Sequence, residues 1–335
     1  PILTVTGTFA ECVLLETLAL SILNHDSAIA SAAARMVSAA GGRTLIEMGS
    51  RRTHELAAPD CARAAYLCGF NATSNLAAVQ RYGIPGTGTS AHAFVLLHGE
   101  KGPDGESAAF TAQVNALGTG TTLLVDTYDI TGGVATGVAV AGSKLGGVRI
   151  DSGDLGVLAR QVRNQLDGLG AHETKIVFSG DLDEYSIAAL RSEPVDVYGV
   201  GTSLVTGSGA PTCGFVYKLV ARADSDEPDA PLVPVAKKSV NKTSIGGRKF
   251  ALRRLDARGK AEAEVIGIGA PPAGDTNDRP LLVELIRDGK AVGAEPLIEG
   301  QKRHARSRAE LPLAALKMSK GEAAIPTLLL DENGA

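Results

Sequence analysis

Six short apolar runs recur along the chain, each closed by a polar or glycine cluster and followed by a helical stretch. They are TLIEMGSRR, GIPGTGTSAH, TLLVDTYD, GVRIDSGD, KIVFSGDLD and VDVYGVGTS. The last four begin at Leu123, Val148, Ile176 and Val197, and each interval holds one helix and its turns. The segment after VRID puts Leu155, Leu158, Val162, Leu166 and Leu169 on one helical face, with Gly170 as the stop. Strand, polar turn and helix in repetition predict a parallel sheet, because parallel neighbours need a crossover between them. With this many runs, a closed or nearly closed α/β barrel is the economical arrangement, and LLV, IV and VRI have the continuous apolar character of strands buried on both faces.

A barrel gathers its C-terminal strand ends at one mouth. Residues far apart in the chain, Arg51, His92, Asp126, Arg149, Asp151, Ser179 and Gly201, are therefore expected together.

The flanks follow other patterns. ILTVTGTF reads as a strand over 1–8, opening at Pro1 as an internal stretch of a longer protein would. ECVLLETLALSILN and SAIASAAARMVSAAGG read as two helices over 9–42, ending at Gly41-Gly42. The barrel is expected over 43–220. From 221 to 275 the regularity fails: ARADSDEPDAP reads as an acidic surface loop, and VPVAKKSVNKTSIGGRKFALRR as a two-stranded excursion turning at Gly246-Gly247 and returning to a sandwich domain. Residues 276–335 are expected to be mostly helical, around RHARSRAELPLAALKMS.

Composition narrows the function classes. The 335 residues are 44% hydrophobic, ample for a large core. Apolar runs are broken within a few residues by Ala, Ser, Gly or Thr, so no segment is expected to span a bilayer. Mixed charge, a net charge of -4 and few aromatics argue against a nucleic-acid partner. Cys12, Cys61, Cys68 and Cys213 have neither metal-site spacing nor a disulfide framework, which points to reduced thiols in the cytoplasm.

The strand ends carry the chemistry. In Gly199-Val200-Gly201-Thr202-Ser203 the glycines free backbone N–H groups for a phosphate and the hydroxyls add donors, with Ser179-Gly180-Asp181 as the facing wall of the cup. The same pattern also suits a plain turn. Arg51 and Arg52 follow a strand and either face the mouth, as bidentate anion binders, or form a solvated pair on the rim. Arg149 sits inside an apolar strand, where a charge must be paired or meet an anionic ligand. Asp151 and Asp154 are either its structural partners or ligands of ribose hydroxyls or Mg²⁺, and Asp126 and Asp129 offer the same choice. No GxGxxG opens a helix after the first strand and no GxxxxGK[ST] is present, so hydride transfer and conventional ATP binding are disfavoured.

Taken in order and spacing, EMGSRR, YLCGFNATSNLAAVQRYGIPGTGTSAHAF, LLVDTYD, GVRIDSGDL, FSGDLDEY, VYGVGTSLVT and VYKLV resemble the bacterial nicotinate phosphoribosyltransferases over nearly the whole chain. The resemblance implies a type II phosphoribosyltransferase: an irregular α/β barrel with parallel strands plus part of an α/β sandwich domain. It implies transfer of phosphoribosyl from phosphoribosyl pyrophosphate to nicotinate, in NAD salvage, with ATP as co-substrate and Mg²⁺ as cofactor. It also implies a homodimer with shared active sites.

By the same resemblance His92 is the histidine phosphorylated by ATP. Arg149 holds the nicotinate carboxylate, Arg51 and Arg52 meet pyrophosphate, and Ser179, Gly180, Gly199, Gly201, Thr202 and Ser203 take the 5′-phosphate. Thr89 joins the substrate-binding set, and Asp126, Asp151 and Asp154 lie near ribose or metal. The Mg²⁺ ligands themselves stay unassigned. Two departures stand out. The family's serine after the histidine is Ala93 here, and the family's N-terminal segment, with an aromatic residue that stacks on nicotinate, is not part of this chain. The competing readings are a nicotinamide phosphoribosyltransferase, a non-catalytic subunit of this fold, and a phosphate-binding barrel aldolase or isomerase. The last lacks a strand-end lysine, since Lys144 and Lys175 precede their strands.

Overall fold

A computed structural model describes residues 1–99, 103–227, 230–238, 244–319 and 321–330. It divides into one unit of Pro1–Leu23 with Gly214–Ala335 and a second of Asn24–Cys213.

The second unit is built on six strands: β1 (Thr44–Glu47), β2 (Ala72–Thr73), β3 (Thr122–Leu124), β4 (Gly147–Ile150), β5 (Lys175–Phe178) and β6 (Val197–Val200). Every pairing is parallel and the order is β2-β1-β6-β5-β4-β3, a ring order cut between β2 and β3. The result is a curled half-barrel: the parallel α/β arrangement expected from the repeated runs is present, and it stays open where a closed or nearly closed ring was expected. Glu47 lies opposite both Thr73 and Val200, Leu124 opposite Arg149, Ile150 opposite Phe178 and Phe178 opposite Tyr198, so all six strands end on one side of the sheet, with β6 running two residues past β5. Leu45, Leu123, Val148, Ile150, Ile176, Phe178, Tyr198 and Val200 are buried to 1% exposure or less.

The helices are α1 (Phe9–Ala40), α2 (Ala58–Leu67), α3 (Leu76–Tyr82), α4 (His92–Leu97), α5 (Pro103–Leu117), α6 (Ile130–Ala141), α7 (Leu155–Gly168), α8 (Glu184–Ala189) and α9 (Thr202–Val205). Polar residues after the strands start several of them. Asn75, Asp129, Asp154 and Asp183 accept a backbone N–H at the N-termini of α3, α6, α7 and α8, each cap stabilising its helix by about 1 kcal/mol. At the opposite end of the strands Arg43 donates to the carbonyls of Leu190, Arg191 and Glu193 and to Tyr198 Oη.

In the first unit β7 (Ala221–Ala223) pairs antiparallel with β8 (Leu232–Pro234). A four-stranded sheet follows from β9 (Lys249–Leu255), β10 (Ala261–Ile268), β11 (Arg279–Pro280) and, after the small hairpin β12 (Ile286–Arg287) and β13 (Lys290–Ala291), β14 (Thr327–Leu330). Leu252, Ala263 and Val265 form its buried cluster, with Leu330 packed on it. Helix α10 (Leu297–Ala309) precedes β14.

Several expectations are corrected. Residues 1–8 are not a strand: their backbone pairs with no described strand, and an apolar run without a hydrogen-bonding neighbour has no reason to stay extended. The two helices over 9–42 are one, because Asn24-His25-Asp26 are weak helix formers but not breakers, and Ala28 to Ala40 bury one face. By length and composition alone α1, which holds an 18-residue window of mean hydropathy 1.2, is long and apolar enough to cross a membrane. Half of it is a core helix of the second unit.

GIPGTGTSAH is no strand beyond the single bridge of Gly86 to Thr73, and Ala72–Thr73 takes the second place in the sheet. The long hairpin turns at Asp256, whose Oδ1 accepts from the amides of Arg258 and Lys260, with Gly259 at φ 72°, rather than at Gly246-Gly247. The C-terminal stretch is not mostly helical. Helix α10 ends at Ala309, Pro312 precedes only a single further helical turn over Leu313–Leu316, and TLLL finds a parallel partner in β10. Leu169 lies beyond α7 and is exposed, while Ala159, Val162 and Leu166 are that helix's buried positions. Residues 228–229 of the acidic loop, 239–243 of the excursion and 331–335 of the terminal stretch lie outside the described residues.

Candidate active site

Arg149 is the third residue of β4, and its side chain is 12% exposed. Nε donates to Ser179 Oγ at 2.7 Å, Nη1 to Thr89 Oγ1 at 2.7 Å and Nη2 to Asp151 Oδ1 at 3.0 Å. Ser179 Oγ donates to the same Asp151 oxygen at 2.6 Å. A guanidinium has five N–H groups. By that count one on each terminal nitrogen is left over, available to an anionic ligand such as a carboxylate.

His92 opens α4 with its ring 41% exposed. Nδ1 lies 3.1 Å from Thr127 Oγ1, and Nε2 lies 3.8 Å from Asp126 Oδ1. The Asp126 side chain is 1% exposed. Its Oδ2 accepts from the Asp151 amide at 2.7 Å and from Ser152 Oγ at 3.3 Å, while Oδ1 has no hydrogen-bond partner among the described residues. A buried carboxylate oxygen left unmet is costly, and the His92 ring is the group within reach. Asp126 thus joins His92 to the Asp151–Arg149 pair, and residues from the ends of β3, β4 and β5 and from the 89–92 segment form one connected network.

Other expected residues take different places. Asp154 accepts from Val157 N at 3.2 Å as the cap of α7, and Asp129 caps α6, so neither pairs with Arg149. The Ser179 hydroxyl accepts from Arg149 and donates to Asp151. Gly180 and Gly199 serve close packing. A Cβ at Gly180 would stand 2.5 Å from the Asp151 carbonyl oxygen, and one at Gly199 would stand 2.6 Å from Met48 Sδ. Gly201, Thr202 and Ser203 open the short helix α9, whose first amides lack intrahelical acceptors and remain suited to an anion. Arg51 and Arg52 form an exposed helical turn after β1, and no described residue pairs with their guanidinium groups.

Three polar residues of this region escaped the sequence reading. Glu47, 1% exposed, accepts from Gly49 N and Thr73 Oγ1 and ties β1 to β2; burial pushes its carboxyl group up and the two hydrogen bonds oppose that. An acid inside TLIEM was the available signal, by the logic that singled out Arg149. Gln113 on α5 accepts from Ser90 Oγ and donates to Thr121 Oγ1 and the Thr122 carbonyl, all at 2.8 to 2.9 Å, spanning the place where the strand ring is cut. A cavity of about 500 Å³ lies beside it, lined by Gly88, Thr89, Ser90, Phe94 and the Ala112–Leu117 turns of α5. Glu106, also on α5, is 3% exposed, and its Oε1 has no hydrogen-bond partner among the described residues. Nothing in the sequence distinguishes these last two from ordinary helical surface residues.

Residues 44–249 match the family model of the nicotinate phosphoribosyltransferase (NAPRTase) family. The chain is 62% identical over 331 residues to the nicotinate phosphoribosyltransferase pncB1 of Mycobacterium tuberculosis, covering 98% of this chain and 72% of that protein. It is 39% identical over 267 residues to the nicotinate phosphoribosyltransferase of Bacillus subtilis, covering 76% of this chain and 52% of that one. Among solved structures, human nicotinic acid phosphoribosyltransferase shares the fold with a TM-score of 0.76 at 24% identity, over 98% of this chain and 76% of that one. Nicotinate-nucleotide pyrophosphorylase from Pyrococcus furiosus gives 0.72 at 25% identity, over 88% and 73%.

Proposed function

The chain belongs to the nicotinate phosphoribosyltransferase family, and from that premise we propose that it makes nicotinate mononucleotide, with ATP hydrolysis coupled to the transfer through phosphorylation of His92. The observation that carries the substrate assignment is the Arg149 guanidinium, fixed in plane by Ser179, Thr89 and Asp151 with one N–H free on each terminal nitrogen. That fork suits the carboxylate of nicotinate and gains little from the carboxamide of nicotinamide.

In the transfer the C1–O bond to pyrophosphate breaks, the pyridine nitrogen forms the new C1–N bond, and pyrophosphate leaves as the anion. The sugar passes through an oxocarbenium-like state, so the protein's work is to align the ring nitrogen and stabilise the departing charge. Arg51 and Arg52, exposed after β1 and without a pairing partner among the described residues, are suited to the pyrophosphate, and the opening amides of α9 to the 5′-phosphate.

ATP enters through His92. The γ-phosphoryl group moves to an imidazole nitrogen, ADP leaves, and water later returns the imidazole and releases phosphate. About two negative charges placed on that ring act on the Asp126–Asp151–Arg149 network, a direct route from the ATP step to the nicotinate site. Ala93 supplies no hydroxyl there, and Thr127 Oγ1 lies at 3.1 Å from the ring.

Among the described residues no three His, Cys, Asp or Glu side chains are grouped to hold a metal ion. Mg²⁺ carried by substrate phosphates keeps most of its waters and needs only one or two carboxylates, a demand that Asp151 at the end of β4 fits. Bound there, it would neutralise charge on the pyrophosphate. A homodimer with shared active sites completes the proposal; it rests on the family resemblance, and sedimentation of the full chain tests it. We assign the protein to the cytoplasm because its described cysteines are free thiols. Burial pushes the Cys61 thiol up to about 12, away from reactivity.

His92→Asn tests the central step. The wild-type protein incubated with ATP and Mg²⁺ should carry an acid-labile phosphate on this residue, and the variant should lose ATP hydrolysis and ATP stimulation together while keeping slow ATP-independent synthesis. A variant that still couples hydrolysis to product formation rules the role out.

A further inference from the structure

The buried face of α5 carries a charge-capable group that the mechanism above does not use. Glu106 is 3% exposed, and its Oε1 has no hydrogen-bond partner among the described residues. One element away, Asp126 Oδ1 is also buried without a hydrogen-bond partner among the described residues and lies 3.8 Å from His92 Nε2. Helix α5 packs against α4, which begins with His92, and against α6, which Asp129 caps. Two unmet carboxyl oxygens on elements that flank the same histidine are unusual in a folded interior, where such atoms are nearly always paired.

We propose that Glu106 is a positioning residue for the phosphohistidine cycle: in its neutral form, buried on the helix packed against α4 and α6, it spares the Asp126–His92 pair a second negative charge, so that the His92 ring can accept a phosphoryl group. The proposal rests on His92 being the phosphoacceptor. Of the charged groups around Glu106 among the described residues, Asp129 and Asp126 act on it as negative charges, α6 carries no charged side chain, and α4 begins with His92 and is followed by His98, whose Nδ1 lies 2.9 Å from the Phe94 carbonyl. Asp104 lies on α5 itself.

Burial, then Asp129, then Asp126 push the Glu106 carboxyl group up to about 7. Below that pH it is neutral. Above it a buried carboxylate adds to Asp126 at the moment when the phosphoryl group brings about two further negative charges. The fraction of uncharged Glu106 falls about tenfold for each pH unit above the transition, and the ATP-stimulated rate should follow it. ATP-independent synthesis does not place a phosphate on His92 and should be insensitive to this group.

The test compares the full wild-type chain with Glu106→Gln, which fixes the neutral form at equal size. From pH 6 to pH 8.5 the wild-type ATP-stimulated rate should fall through a transition near 7 that the variant lacks, while the ATP-independent profiles coincide. The ionisation of ATP is common to both proteins and cancels in the comparison. Infrared difference spectra of the wild-type protein should show a protonated carboxylic acid band that disappears over the same range. That band is read even if Glu106→Gln proves too unstable to assay, and its absence at pH 6 overturns the proposal. A stable variant with intact ATP stimulation and the wild-type profile overturns it equally. A wild-type protein without ATP stimulation sinks the phosphohistidine reading itself and this role with it.

Discussion

Asp126 Oδ1 stands 3.8 Å from His92 Nε2, while the other oxygen of the same carboxylate accepts the Asp151 amide at 2.7 Å. One buried side chain therefore holds both a histidine and the end of the strand that carries Arg149. Asp126→Asn keeps the shape and one acceptor but removes the charge that orients the ring. It should lower the ATP-stimulated rate by about 10²-fold, the scale of a lost charge-assisted contact, with a smaller effect on ATP-independent synthesis. Equal losses in both would place Asp126 in the ribosyl transfer itself.

Arg149→Lys separates charge from shape. The ammonium keeps the positive charge but cannot donate to Ser179, Thr89 and Asp151 and still present a fork to a carboxylate. We expect the nicotinate KM to rise by at least about tenfold, near 1.4 kcal/mol, with the KM for phosphoribosyl pyrophosphate little changed. A parallel rise in both would mark Arg149 as a structural ion pair with Asp151.

The glycines at the strand ends should differ in tolerance. Gly180→Ala drives a methyl group to 2.5 Å from the Asp151 carbonyl oxygen, whereas the nearest atom to a Cβ at Gly201 is 3.4 Å away. Gly180→Ala should cost about 1–3 kcal/mol as an overpacked site and raise the nicotinate KM by displacing Asp151. Gly201→Ala should melt close to the wild-type temperature. Denaturant unfolding of both variants checks the contrast.

Stability should also report Glu106 directly. Its carboxyl group is raised from 4.5 to about 7 in the folded protein. Such a group favours the fold fully below the unfolded value, and that contribution is lost as pH rises through the folded one. The wild-type unfolding free energy should therefore decline between pH 4.5 and about 7 by up to about 1.4 kcal/mol per unit relative to Glu106→Gln. Parallel stability curves for the two proteins would show that the folded group titrates normally.

Much of this architecture is legible in the chain. The strands TLIE, TLL, GVRI, KIVF and VYGV and their crossovers follow from apolar runs at helix-sized intervals, because a parallel sheet imposes that rhythm on any sequence that forms it. Arg149 was legible because a guanidinium inside an apolar strand demands partners, and the resemblance singled out His92 through its flanking motif. Other features needed the fold. Asp129, Asp154 and Asp183 look like Asp126 and Asp151 on paper, yet they cap helices, a difference of a few residues in where each helix begins. Residues 1–8 have the composition of a strand but pair with no described neighbour, and TLLL at 327–330 becomes a strand because β10 offers a free edge. Glu106 and Gln113 carry no local signal, since on an isolated α5 both would be solvated. Only packing against α4, α6 and β3 takes them out of water, and desolvation is a property of the assembled neighbours, not of the residue.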